Sequence, residues 1–389
     1  MRTVHPVLKR GGLYWDRDLL PPSGYDARFH RIQAEVAKSG DDAWLVYGDV
    51  ERYGTLAYFS NFLPRTRSAV ALVPREGAPT LLISVGARDV PAAKTLTWID
   101  DVRPFTKLPR TLVGLIEERS LQRARIGLVS VDELLPIKEW SEIVKALPDL
   151  KTVSRTADMN ALRASKDAHE IEAIRRAARI VAESLDVCAR ALAPGKLMRE
   201  ALSQAERHIR ANAAEDVRLM AASGAQTGLS MRPLDSRILK AGDSVMVYVA
   251  AEVQRYWAEA ARTFVLGAAS DAQRALATQA DAALAAMRNA AWKGAPVKSL
   301  ADAAEKALAD PALLASARGY GFGNGVGLDL DETPYVTSET TLAIADNSTL
   351  ALRIIGHANG LGIAAGETIL VRSGQTERLI ASPSLVECR

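Results

Sequence analysis

The chain has 389 residues, with 49 Lys and Arg against 46 Asp and Glu, a formal net charge of +3, and both signs interspersed along its length. That near balance leaves no electrostatic footprint for nucleic acid or an anionic membrane, and the length suffices for two domains that each bury a core. Two cysteines, Cys188 and Cys388, make neither a disulfide framework nor a thiolate metal site, and the first twenty residues lack an apolar h-region, so a cytoplasmic protein is expected.

Residues 1–23 are irregular and proline-bearing and read as an arm lying on the surface or on a partner subunit. From Tyr25 to about Ala37 apolar residues recur at helical spacing. Strand-like runs follow at Ala43–Tyr47, Ala69–Val73, Thr80–Ser84 and Ile126–Val129, with helical stretches between them. This alternation predicts an α/β domain around a central sheet. The polar segment Val153–Arg163 marks the boundary, giving an N-terminal domain over 1–158 and a C-terminal domain over 159–389.

Ser165-Lys166-Asp167 supply cap and first-turn residues for a long helix, and Ile171, Ile174, Ala178, Val181 and Leu185 keep one face apolar until Pro194-Gly195 stops it. A second amphipathic helix is expected from about Leu197 to Ala213. Two more are expected at Asp271–Trp292 and Leu300–Ala317, each preceded by a serine. His5, His30, His169 and His208 show no ligand pattern and read as solvated polar positions. Between these helices, Ser244–Ala251 and Arg255–Leu266 are two apolar runs that predict a buried hairpin. A two-residue turn at Val253-Gln254 places Tyr248 directly across from Glu259. The second half thus reads as helices on a curved antiparallel sheet, an α+β layout.

The hairpin frame, Gly242-Asp243 followed by Arg262-Thr263-Phe264-Val265 and Gly267, resembles the catalytic core of the creatinase/prolidase/aminopeptidase P family. The likeness spans roughly residues 24–380 and includes Tyr58-Phe59-Ser60-Asn61-Phe62 and the run Gly323-Asn324-Gly325-Val326-Gly327. It implies a pita-bread C-terminal domain, an α/β creatinase-like N-terminal domain, and a homodimer acting on a small molecule.

Metal-dependent members of that family bind two divalent ions through two Asp, one His and two Glu, whose oxygens supply charge as well as coordination. Carried over by resemblance, the two Asp positions are Tyr248 and Glu259, the His position is Asn324, and the Glu positions are Arg353 and Gly366, with Glu367 adjacent. A one-residue shift of register restores Glu367 alone. Four carboxylates are thereby replaced by one negative and one positive charge, which cannot balance two divalent cations. Neither a metal nor another cofactor is expected. Metal-free members use a loop histidine that here is Met231, a thioether unable to move protons. A second family histidine becomes Asp331 in Asp331-Glu332-Thr333-Pro334.

The residues left are chemically capable. Glu259, Asp331 and Glu332 are candidate acids or bases, with carboxyl groups that burial raises toward useful pKa values. Arg353 can bind a substrate carboxylate or steady an oxyanion. Tyr248 can donate a hydrogen bond, and His357 is expected in a loop, Gly356–Gly360, near the centre. Asn324, Met231 and Arg353 are expected on the substrate side. Arg65 and Arg67 follow a loop that in related dimers can reach the neighbouring subunit's site; the alternative is that they are solvated surface arginines. The sequence reading is a metal-independent enzyme that hydrolyses or eliminates at a C–N or related bond of a small carboxylate-bearing molecule. Two alternatives stand beside it: a non-catalytic binding protein on the same fold, and a metal-dependent Xaa-Pro aminopeptidase or prolidase in a different motif register. Glu259 and Arg353 can also serve as a buried ion pair that replaces metal as structural glue.

Overall fold

The structure, a computed structural model, describes residues 13–232, 234–381 and 383–388. His5 and the first twelve residues of the expected arm lie outside the described residues. The chain divides into two compact units, Met1–Arg163 and Ala164–Arg389.

The first unit opens with a helix at Pro22–Lys38 and continues through β1 (Ala43–Asp49), β2 (Ser68–Pro74), β3 (Thr80–Ile83), β4 (Asp101–Pro104), β5 (Arg125–Val129) and β6 (Lys151–Ser154). They form one mixed sheet in the order β4-β3-β2-β1-β5-β6. β1, β2, β3 and β5 are the four strands expected from apolar runs, and they are buried on both faces as such runs require. The outer strands β4 and β6 were not predicted, because Asp-Val-Arg-Pro and Lys-Thr-Val-Ser carry too little apolar surface to stand out. Leu45, Val70, Leu82, Leu112, Ile116 and Leu128 centre the core of this unit.

In the second unit the first helix runs over Ala168–Ala191. Asp167 and Glu170 close a capping box on it, and the five expected apolar positions are all buried. Helices at Met198–Ala211 and Asp271–Ala290 follow, the latter capped by Ser270 and Gln273. The single helix expected over Leu300–Ala317 is in fact two, Lys298–Ala307 and Pro311–Tyr320. Pro311 lacks the N–H that a continuing helix needs, and the Asp310 carboxylate instead accepts from the Ala312 and Leu313 N–H groups at 2.8 and 3.1 Å. Ser299 is not a cap; its hydroxyl donates to the Pro296 carbonyl from inside the helix.

The strands of this unit are β7 (Asp216–Ser223), β8 (Ser244–Val253), β9 (Tyr256–Leu266), β10 (Gly323–Gly325), β11 (Glu332–Tyr335), β12 (Ser348–Ala358), β13 (Leu361–Arg372), β14 (Gln375–Arg378) and β15 (Leu385–Cys388). Their main path is β11-β10-β12-β13-β9-β8-β7, with β14 on β13 and β15 parallel to β9. One face carries Leu350, Leu352, Ile354, Ala365 and Ile369 into a core shared with the helices between Asp271 and Tyr320. The opposite face carries Met246, Tyr248, Ala250, Trp257, Ala261, Ala351, Ile355 and Ala364. Between β9 and β13 the one backbone pair is Ala261 with Gly366. Two threonines stitch that seam: the Thr263 hydroxyl donates to the Ala364 carbonyl and the Thr368 hydroxyl to that of Glu259, at 3.1 and 2.8 Å.

The hairpin β8–β9 forms as expected, but its turn is Gln254-Arg255, one residue later than predicted. Tyr248 therefore pairs with Ala261, and Glu259 with Ala250. Both turn residues have positive φ, +49° and +68°, as a two-residue turn of this twist requires. Neither Gln nor Arg favours that conformation, so local sequence gave no sign of it. The turn is held by Glu215, which accepts from the Arg255 N–H at 2.9 Å and pairs with its guanidinium at 3.4 Å, both side chains 1% exposed.

Gly323 in the glycine-rich run has φ of +147°, and a Cβ there would collide with the Ala351 carbonyl oxygen of the neighbouring strand. Gly323→Ala is expected to cost about 1–3 kcal/mol, read as a lowered denaturation midpoint. An unchanged midpoint would show that β10 and β12 do not need this close approach. Among the described residues no helix is long and apolar enough to cross a membrane.

Candidate functional site

One row of residues crosses five strands of the second sheet. Met220 pairs with Tyr248, Tyr248 with Ala261, Ala261 with Gly366, and Gly366 with Arg353. Alternate residues of a strand share a face, so Glu259 lies on this face diagonally from Tyr248. The middle of the row is an alanine and a glycine. With almost no side chain there, Tyr248 and Glu259 from one side and Arg353 from the other converge over the gap.

They meet as a network. The Tyr248 hydroxyl donates to Glu259 Oε2 at 2.5 Å, and Arg353 Nη1 donates to Glu259 Oε1 at 2.8 Å. Arg353 Nη2 donates to the side-chain Oδ1 of Asn324, and Asn324 Nδ2 donates to the backbone carbonyls of Gly325 and Leu330 at 2.8 and 3.1 Å. The Glu259 side chain is 4% exposed and that of Arg353 21%, so the guanidinium is the charged end that solvent reaches. Four residues singled out in the sequence are thus brought together, and the expected ion pair is present.

Electrostatics follow from burial. Burial pushes the Glu259 carboxyl above its ordinary range, while Arg353 and the Tyr248 hydroxyl pull it partway back. Burial, with the neighbouring Glu259 charge, holds the Tyr248 phenol well above its ordinary value, so it remains a proton-bearing donor. Asp331 keeps contact with solvent, but the protein packed around it raises its carboxyl against the pull of Arg353.

Other expectations are corrected. His357 is not in a loop; it lies in β12, on the face of Arg353 and paired with Gly362. Four residues at about 3.3 Å each put it roughly 13 Å further along the strand. The turn beyond it is Asn359-Gly360, at φ +51° and +78°. Glu367 points to the opposite, helix-packed face, where it is 2% exposed and accepts from Arg288 at 2.5 Å and Arg378 at 2.6 Å. A shifted motif register therefore does not bring it to the centre. Glu332 is also committed, to Lys166 at 3.0 Å and to the Asp329 N–H at 3.0 Å. His208 is paired with Glu183 at 3.1 Å, and His30 lies 3.6 Å from Asp26. Arg65 and Arg67 belong to the first unit, where both are exposed.

Met231 packs against the apolar cluster around Tyr248, and so do Met220, Tyr320 and Leu330, which sequence reasoning did not select. Their one sequence signal is proximity to chosen motifs: Tyr320 precedes the glycine run and Leu330 precedes Asp331. Thr368 was missed as well, although its hydroxyl accepts from the Glu259 N–H at 3.0 Å. Among the described residues no three His, Cys, Asp or Glu side chains cluster as a metal site would require.

Comparison with known structures finds this architecture elsewhere. An X-Pro aminopeptidase from Thermotoga maritima MSB8 superposes with a TM-score of 0.79 at 21% identity, over 92% of this chain and 99% of that chain. The prolidase from Pyrococcus horikoshii OT3 gives 0.79 at 21% identity, covering 92% and 98%. Dipeptidase PepE from Mycobacterium ulcerans gives 0.82 at 18%, covering 97% and 100%. No curated protein sequence matches the chain. Residues 28–165 match the family model of the creatinase/prolidase N-terminal domain, and residues 172–373 match that of metallopeptidase family M24. The chain belongs to metallopeptidase family M24, with a creatinase/prolidase N-terminal domain preceding its pita-bread domain.

Proposed function

We propose that the protein is a metal-independent enzyme that breaks a C–N or related bond in a small carboxylate-bearing molecule. The observation that carries this reading is the Tyr248–Glu259–Arg353–Asn324 network, a carboxylate of raised pKa beside a partly accessible guanidinium. The family name implies divalent metal, and the donor set does not fit it. Both Glu259 oxygens are occupied by donors, Asn324 Oδ1 faces a guanidinium, and the positive charge of Arg353 would repel a dication by several kcal/mol, roughly, at such range.

Arg353 has five N–H groups and uses two in the network, which leaves donors for a substrate carboxylate or a developing oxyanion. Glu259 accepts two hydrogen bonds as a carboxylate and is a stronger base than an ordinary one, suited to taking a proton from water or substrate. Tyr248 stays protonated and steadies that carboxylate. The activity named for the similar X-Pro aminopeptidase supplies precedent for a C–N bond in the substrate. Under the same reading the protein is a cytoplasmic homodimer, in which Arg65 and Arg67 meet the partner's substrate.

Elemental analysis of protein purified without chelator is expected to show no stoichiometric Mn, Co, Fe or Zn. A metal content near one or two per chain, or Xaa-Pro peptidase activity that a chelator abolishes, would overturn the proposal. One feature favours a second reading, a recognition module without turnover: both Glu259 oxygens are already held by Tyr248 and Arg353. Turnover of any carboxylate in a metabolite screen separates the two.

A further inference from the structure

Two sides of the polar centre are flanked by partly exposed apolar groups. Met220 stands beside Tyr248 in the row, and Met231 enters from the segment that bridges back to β7 through Ala221 and Arg232. On the other side, the Leu330 carbonyl accepts from Asn324, and Tyr320 ends the helix that leads into β10. All four pack against the cluster that contains Tyr248, Ala261 and Ala351. The Tyr320 hydroxyl tip is buried, so the part of this residue that reaches solvent is its ring and backbone.

Apart from the exposed Asp331 carboxylate, a molecule whose charged end reaches Arg353 has its remainder against thioethers, an aliphatic chain and an aromatic ring. These groups offer it few hydrogen-bond partners. We propose that the site selects carboxylates with an apolar body, and that Met220 and Met231, whose flexible, polarisable side chains adapt to a flat partner, favour an aromatic one. The inference rests on Arg353 as the carboxylate anchor and narrows the substrate class from small polar acids to amphipathic ones.

Calorimetric titration of the full chain with propionate, hydrocinnamate and hydrocinnamamide tests it. Hydrocinnamate is expected to bind at least about tenfold more tightly than propionate, the lower end of what burying a phenyl ring contributes. Met220→Gln and Met231→Gln, at partly exposed positions, should each shrink that ratio about threefold. A ratio near one in the wild type, or a ratio indifferent to both substitutions, overturns the proposal. The amide separates the two layers of inference. Hydrocinnamamide binding as tightly as the acid, with the preference still lost in the methionine variants, sinks the Arg353 anchor and keeps the apolar wall.

Discussion

Arg353→Ala is expected to lower the stability of the second unit by about 3–5 kcal/mol. The reason is what it leaves behind. Glu259 is 3% exposed and has two side-chain partners; without the guanidinium its carboxylate remains buried with one neutral donor, the Tyr248 hydroxyl at 2.5 Å. Arg353 is the largest influence holding the Glu259 pKa down against burial, so the variant raises that pKa further. A carboxyl whose folded pKa lies above its unfolded value binds extra protons when folded, and its contribution to stability is lost as pH rises through the folded pKa. The deficit should therefore be smallest near pH 4 and grow toward alkaline pH, measured by urea denaturation at several pH values. Glu259→Ala combined with Arg353→Ala should be less damaging than Arg353→Ala alone, since no unpaired charge is left. A loss under about 1 kcal/mol that does not change with pH would show that solvent, not Arg353, compensates Glu259.

How far the sequence reached depends on which forces are local. The helix at Ala168–Ala191 was legible because its capping box and apolar stripe lie within one segment, and β1, β2, β3 and β5 because both their faces are buried. The alanine-rich pattern on either side of Pro311 reads as one helix, and the break comes from the N–H that this proline lacks. The hairpin turn was misplaced by one residue because Gln254 and Arg255 are held in place by Glu215, forty positions away from Arg255, and not by their own preferences. That error was harmless for the site. Moving a turn by one residue changes strand partners by two, which preserves the face, and Tyr248 and Glu259 still meet.

Asn324 and Arg353 joined them through motif likeness alone, since a separation of 29 residues carries no local signal. His357 failed for the opposite reason: its glycine neighbours read as a loop, yet Gly356 lies in a strand packed close to Ser316. The wall of Met220, Met231, Leu330 and Tyr320 was illegible as a whole, because it is assembled from segments that meet only around the sheet.

Glu259→Gln is expected to reduce kcat by about a hundred- to ten-thousandfold, the range for loss of a general base, with KM little changed because Arg353 still anchors the carboxylate. The amide keeps the size of the side chain but has one acceptor oxygen for two donors, Tyr248 and Arg353, so the denaturation midpoint is read beside kcat to separate lost folding from lost chemistry. A base must be ionised, so wild-type kcat/KM should rise with pH through a limb displaced above the ordinary carboxyl range, in the direction that burial moves Glu259. The Gln variant should lack that limb. Tyr248→Phe tests the assignment from the other side. The phenol's hydrogen bond lowers the Glu259 pKa, so removing it should move the limb to still higher pH and leave the plateau rate largely intact. If Glu259→Gln retains turnover within about threefold of wild type, the base lies elsewhere, and Asp331, the other carboxyl near Arg353 whose pKa burial raises, becomes the residue to replace.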